Sequence, residues 1–237
     1  MIEEAIKLAV CLAFAMVSIR YKMLDFAGTL MALIIGLVIL FVGGIGWFVL
    51  LLLFFVLGSL ATKYKHNLKR RRLHERYGRK AMNVIANGSV PAVLALFSMD
   101  YNLALPFVVA ISVAMADTLA SELGVLSDKA YLITNMKRVK PGTNGAISWL
   151  GEGMALLGAI IISMGGYFFV GLNGYETILS IFLAFLGCHI DSVLGATFQG
   201  GYRGTLKGEN TVLTNSDVNL ISITITALIA FIITEAF

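Results

Sequence analysis

The chain has 237 residues, a formal net charge of +4, 58% hydrophobic and only 14% charged residues, with a mean hydropathy of +0.86. Soluble domains carry about a quarter charged residues and under half apolar ones, so charge this sparse cannot cover a water-soluble globule, and so apolar a chain is not disordered. Cys11 and Cys188 each lie inside an apolar run, which excludes a disulfide scaffold; an integral membrane protein remains.

A helix needs about 20 mostly apolar residues to cross roughly 30 Å of hydrocarbon. Eight runs answer to that in chain order: 5–19, 24–42, 45–61, 81–99, 103–123, 146–170, 175–198 and 218–237. The first is short, and the fourth is interrupted by Asn87, Gly88 and Pro91. The N-terminus opens on Glu3 and Glu4 rather than the basic region of a cleaved signal, so the first run is expected to be retained as a helix. Strands of a membrane β-barrel would be about ten residues of alternating polarity, whereas these runs are longer and apolar on all sides. The expectation is an all-α polytopic bundle of about eight transmembrane helices, forming a single integral membrane domain over 1–237. Its main loops are 62–80, 124–145 and 199–217, and no separate soluble domain fits between them.

Every basic residue except Lys7 falls in four connections on one side of that bundle: 20–23, 62–80, 124–145 and 199–217. The other side has short turns with Asp100 and Glu176, together with both termini. The positive-inside rule makes the basic side cytoplasmic, with both termini non-cytoplasmic, in a multi-pass protein of the cell membrane. The net positive charge is therefore a topology signal, not a nucleic-acid one. The run KYKHNLKRRRLHERYGRK reads first as an anchor on anionic membrane lipids. A sharper reading has Arg79, or its neighbour Lys80, holding a polyphosphate.

Charge inside a bilayer is expensive, so intramembrane acids mark candidate function. Asp117, Glu122, Glu152 and Asp191 lie in or at the ends of helices on the basic side. Asp117 shares a helical face with Ala120 and Gly124, and Asp191 with Gly187 and Gly195. Small residues on such a face let a helix or a ligand approach closely. A carboxylate pair with no intramembrane Lys or Arg beside it repels itself, and a divalent cation resolves the repulsion. Oxygen ligands and partial hydration suit Mg²⁺, held by one or two carboxylates plus substrate phosphates.

The loop NMKRVKPGTNG carries Lys137, Arg138 and Lys140 into Pro141, Gly142, Thr143, Asn144 and Gly145, just before the sixth apolar run. Glycine-rich turns expose backbone N–H groups, and a helix N-terminus adds positive potential, which together favour phosphate. Thr143 or Asn144 also reads as the cap of the following helix. No GxxxxGK[ST] string is present, so this is not a P-loop. A weak parallel internal repeat pairs Asp117 and Asn144 with Asp191 and Asn215. His189 lies two residues from Asp191, on a different helical face, and is assigned no role.

The strings GRKAMNVIANG, ADTLASELG, KPGTNGAISWLG, DSVLGATFQG and LTNSDVN, in that order, resemble the integral membrane family called domain-of-unknown-function 92. That family includes the plant phytyl-phosphate kinase of vitamin E synthesis. Where the family often continues GTNGG, this chain has Ala146. The Asp117, Ala120, Gly124 pattern and its downstream loop also resemble CTP-dependent dolichol and polyprenol kinases. The resemblance implies a CTP-dependent phosphotransferase that converts an isoprenoid monophosphate, of phytyl or geranylgeranyl type, to the diphosphate. On that reading Asp117 and Asp191 hold Mg²⁺, and Lys137, Lys140, Gly142, Thr143, Asn144 and Gly145 cradle phosphates. Asn87, Gln199, Asn215 and Asn219 are further polar contacts, and Asp117, Asp191 or Glu122 is available as a base for an alcohol acceptor. A polyprenol kinase, a CDP-lipid synthase and a lipid or anion transporter stay open, as does a homo-oligomer.

Overall fold

The computed structural model describes residues 2–73, 81–199 and 212–236. Helices α1 (Ile2–Arg20), α2 (Phe26–Val38), α3 (Ile45–Lys63), α5 (Ala81–Leu96), α6 (Ala104–Gly124), α7 (Trp149–Gly165), α8 (Gly174–Leu194) and α9 (Asn215–Ala236) correspond to the eight apolar runs. The protein is an all-α polytopic membrane protein. Six of the described helices are long and apolar enough to cross a membrane. The count of eight is not reached on those grounds. Helix α1 carries Glu3, Glu4, Lys7 and Arg20 in its sequence, and α5 has 16 residues with Pro91 inside it. At 1.5 Å per residue α5 is about 24 Å long, yet it runs from one end of the bundle to the other. Its first residues meet α9 through the Ser216 to Asn83 hydrogen bond (3.4 Å). The turn after it places Tyr101 against Phe231 near the end of α9.

Two loops hold structure that the hydropathy pattern does not announce. Loop 62–80 contains the last turn of α3 and a short helix α4 (His66–Leu73). Loop 124–145 contributes β1 (Ala130–Leu132) and β2 (Arg138–Val139), which join β3 (Ala146–Ile147) in an antiparallel sheet ordered β2-β1-β3. The third loop, 199–217, ends in the first turn of α9. Pairing of Ala146 and Ile147 with Leu132 and Tyr131 keeps them extended, so α7 starts three residues later than the run suggests. Its cap is Ser148, whose Oγ accepts from Gly151 N at 3.1 Å; neither Thr143 nor Asn144 caps it.

Helix α6 is the axis. Nearly all of it is buried, and it touches α3, α5, α7, α8 and α9. Small residues permit this. A Cβ at Gly158 of α7 would sit 3.2 Å from Ala116 Cα, and one at Gly124 would sit 3.0 Å from Gly151 Cα. Helices in lipid associate by such close approach and by hydroxyl hydrogen bonds. Ser163 of α7 supplies both, lying 3.2 Å from Ser112 of α6 and 2.8 Å from Ser180 of α8.

Candidate functional site

Where α6, α7 and α8 reach the basic end of the bundle, the side chains turn from apolar to polar. Asp117, Ala120, Ser121 and Gly124 of α6 face Cys188, Asp191, Ser192 and Gly195 of α8 across an open cavity with about 770 Å³ of atom-free space. The loop 141–148 forms its third wall, and Glu152, Gln199 and Asn215 also line it.

The loop is bound on three sides. Gly142 (φ 91°) and Gly145 (φ 70°) take left-handed conformations that bend it inward. Thr143 N and Oγ1 both donate to Lys140 O (3.1 and 2.8 Å), closing the turn. Ile133 N donates to Gly145 O (3.0 Å), tying it to the sheet. Ser148 Oγ donates to Gly124 O (3.3 Å), tying it to α6. On α8, Gly145 lies so close that a Cβ there would be 2.5 Å from Ser192 O and Ala196 N.

Asp117 and Asp191 meet through one residue of α9. In one orientation the Asn219 amide donates to Asp117 Oδ2 and Asn87 Oδ1, both at 3.4 Å. Turned over, it donates to Asn215 O at 2.8 Å and Asp191 Oδ2 at 3.3 Å. Both ends of this amide therefore face oxygen acceptors, and only one end can donate. Ser222 Oγ also donates to Asp191 Oδ2 (3.2 Å). The two carboxylates and the Ser222 hydroxyl offer oxygen ligands of the kind a hard divalent cation takes. Among the described residues, no three His, Cys, Asp or Glu side chains form an all-protein metal cluster. Mg²⁺ does not need one, since it retains waters and takes ligand phosphates.

Of the residues expected from sequence, Asp117, Asp191, Gly142, Thr143, Asn144, Gly145, Gln199 and Asn215 line this one cavity. Asn219 and Asn87 stand behind the aspartates, both buried. Lys137 and Lys140 are exposed, and their side chains are not in the cavity wall. Arg79 lies outside the described residues. Glu122 does not line the cavity. It is buried, turned away from the cavity, and accepts from Lys69 Nζ at 2.7 Å. Lys69, only 1% exposed, also donates to Ala61 O and Thr62 O at the end of α3 (2.8 and 2.7 Å). The pair clamps α4 to α3 and α6, and Glu122 is not among the residues lining the cavity.

Sequence reading passed over a second polar pair. His189 Nε2 lies 3.1 Å from Glu152 Oε2, and its Nδ1 lies 2.8 Å from Phe185 O. Both ring nitrogens thus face oxygen atoms of the protein. Glu152 sits in the first turn of α7, near the N-terminal pole of that helix.

Comparison with known proteins agrees with this arrangement in extent. The chain is 33% identical over 230 residues to an uncharacterized membrane protein of Methanocaldococcus jannaschii, covering 95% of this chain and 92% of that one. It is 29% identical over 261 residues to Protein PGR of Arabidopsis thaliana, covering 91% of this chain and 90% of that protein. Protein VTE6, chloroplastic, also of Arabidopsis thaliana, is 27% identical over 206 residues, 81% of this chain and 60% of that protein. No solved structure matches. The profile of the integral membrane protein family DUF92 covers residues 9–227, and the chain belongs to that family.

Proposed function

We propose that the protein is a prenyl-phosphate kinase that uses CTP and Mg²⁺ at the basic, cytoplasmic face of the membrane. One observation carries this reading: two intramembrane aspartates from different helices and a glycine-bent loop line the same polar cavity. Membership of a family that includes the phytyl-phosphate kinase supports it.

Asp117 and Asp191, with the Asn219 amide between them, are the residues that would hold Mg²⁺. When bound, Mg²⁺ neutralises charge on the nucleotide phosphates. Loop 141–145, bent by the positive φ of Gly142 and Gly145, would approach phosphate oxygens with its backbone. Lys137 and Lys140 add positive potential from the exposed part of the loop, steering the nucleotide rather than gripping it. In the reaction an anionic oxygen of the prenyl monophosphate bonds to the γ-phosphorus of CTP. The bond to the β–γ bridging oxygen breaks, and CDP leaves with that electron pair. A phosphate monoester has a second pKa of about 6, so it attacks as an anion at neutral pH without a dedicated base. The protein's task is positioning and charge neutralisation, as in other phosphoryl transfers. The engagement of Glu122 by Lys69 fits an acceptor that needs no base.

The test is incubation of purified protein with Mg²⁺, each of the four nucleoside triphosphates, and a panel of prenyl alcohols and monophosphates. Lipid products are then identified by mass spectrometry. Prenyl diphosphate formed from the monophosphate and γ-labelled CTP supports the reading. Transfer of CMP, phosphorylation of alcohols alone, or flux across proteoliposomes without nucleotide overturns it.

A further inference from the structure

The polar cavity is walled unevenly. Toward α9 it is sealed, because Asp191 accepts from Ser222 Oγ, and both Ser222 and Asn219 are buried. Between α6 and α7 the backbones meet at Gly124 and Gly151. Between α7 and α8, among the described residues, the polar closure at this level is the pair Glu152 and His189. Glu152 lines the cavity and lies 3.1 Å from His189 Nε2. His189 does not line the cavity, yet 31% of its side chain is exposed, as is 25% of that of Glu152. The imidazole therefore stands on the outer edge of the seam. Phe185 O holds it at 2.8 Å, and the Phe185 ring packs against it, 4.5 Å between centroids. Deeper in the membrane the same two helices are tied by Ser163 and Ser180, both fully buried.

The height of this pair matches that of a lipid head group. Trp149, 89% exposed, opens α7, and tryptophan on membrane helices settles at the interface. Glu152 lies one turn further along α7, about 4.5 Å into the membrane. Beside it a Cβ at Gly153 would meet nothing within 4 Å, so the outer lip of the seam is low. On the membrane side of the pair, Leu156 of α7 and Phe182 of α8 are exposed. We propose that the seam between α7 and α8 is the doorway by which a lipid phosphate passes from the leaflet on the basic side into the polar cavity, with the Glu152–His189 bridge as its latch. The head group crosses at the bridge, and the tail stays in the bilayer along Leu156 and Phe182. The proposal rests on the kinase reading for the identity of that lipid as the phosphoryl acceptor. A latch held shut lowers the apparent affinity in proportion to the fraction of protein in which it stands open.

The experiment uses full-length protein in nanodiscs with farnesyl monophosphate, which partitions into the bilayer, and dimethylallyl monophosphate, which stays in water and is read as substrate or as competing inhibitor. His189→Leu removes the bridge on an outward face. It should lower the KM for farnesyl monophosphate about fivefold, the factor that one ordinary net hydrogen bond carries, and leave the constant for dimethylallyl monophosphate unchanged. Leu156→Trp, which narrows the doorway from outside, should raise the KM for farnesyl monophosphate alone, about tenfold. Leu228→Trp, at an exposed position of α9, should change neither. Equal effects on both acceptors, or no effect of either seam variant, overturn the doorway. A farnesyl monophosphate carrying a diazirine beside its phosphate gives a readout that needs no turnover, with labelled peptides mapped by mass spectrometry. Label on Leu156, Phe182 or Phe185 that unlabelled farnesyl monophosphate removes is the expected result. Competed label on α5 or α9 instead, with turnover intact, overturns the doorway. Competed label at the seam without turnover on any nucleotide leaves the doorway standing and refutes the kinase.

Discussion

Lys69→Met isolates the clamp between α4 and the bundle. The native ammonium makes three short hydrogen bonds, to Glu122, Ala61 O and Thr62 O. Its side chain is 1% exposed and that of Glu122 11%. Removing the cation leaves a carboxylate enclosed beside α6 and two carbonyls at the end of α3 without this donor. Breaking a buried pair from one side costs about 3–5 kcal/mol. For a chain of this size that lowers a thermal midpoint by about 6–20 °C. Glu122→Gln is milder, because Lys69 keeps its two carbonyl acceptors and the amide still accepts; about 1.5–3 kcal/mol is expected for one charged hydrogen bond. The double variant Lys69→Met, Glu122→Gln carries no buried charge and should recover part of the loss, with a coupling energy of about 1–3 kcal/mol. Thermal unfolding of the four proteins in one detergent, followed by tryptophan fluorescence, gives the cycle. Additive effects, or a Lys69→Met midpoint within a degree of the parent, would refute the clamp. A Glu122→Gln protein that folds as the parent but loses turnover would return Glu122 to the catalytic group.

Asp117→Asn and Asp191→Asn should each cut nucleotide-dependent turnover by at least about a hundredfold, yet leave thermal midpoints in EDTA unchanged or raised, since each adds a donor among crowded acceptors. A fall in both quantities together would make the aspartates structural. Gly145→Ala forces a side chain into a left-handed conformation at about 1–2 kcal/mol and drives Cβ against α8, so nucleotide affinity should fall about 5–30-fold in a direct binding assay. Ser163→Ala removes the hydroxyl between Ser112 and Ser180 and should cost about 0.6–1.7 kcal/mol per lost bond, read in detergent unfolding. Cys11 and Cys188 are both buried, so Met136→Cys on the exposed sheet loop gives a single accessible thiol. An impermeant maleimide should reach it only from the cytoplasmic side; reaction from outside would invert the proposed orientation.

The bundle was legible because its signal is local. Each apolar run announces itself, and every one became a helix. Asp117 and Asp191 were legible for a related reason, since a carboxylate within an apolar run stands out wherever it points. What escaped depends on contacts between distant segments. In a sequence, Lys69 is one cation among many in a polar stretch, and only the fold shows it buried against Glu122, 53 residues on. His189 and Glu152 belong to different helices, and nothing along either helix pairs them. The start of α7 was misread because Ala146 and Ile147 are apolar enough to continue a helix; the ladder with β1 holds them extended instead.

The acceptor-crowded amide of Asn219 links the stability of this region to its chemistry. A membrane protein that places two carboxylates around one amide bears a cost that helix packing alone does not explain, because an asparagine or serine at either position would satisfy the same neighbours. The surrounding small residues point the same way. Ala120, Gly124 and Gly195 bring α7 and the loop within reach of the carboxylates, but they leave the cavity open rather than filled. A purely structural role would favour larger side chains closing that space, as tight interior packing does elsewhere in the bundle. An open polar cavity with two carboxylates at its base is instead what a site for a cation and a phosphate-bearing ligand requires. This gives the sign of the Asp→Asn effect its weight: stability gained as turnover is lost would mean that these charges are kept for the ligand and not for the fold.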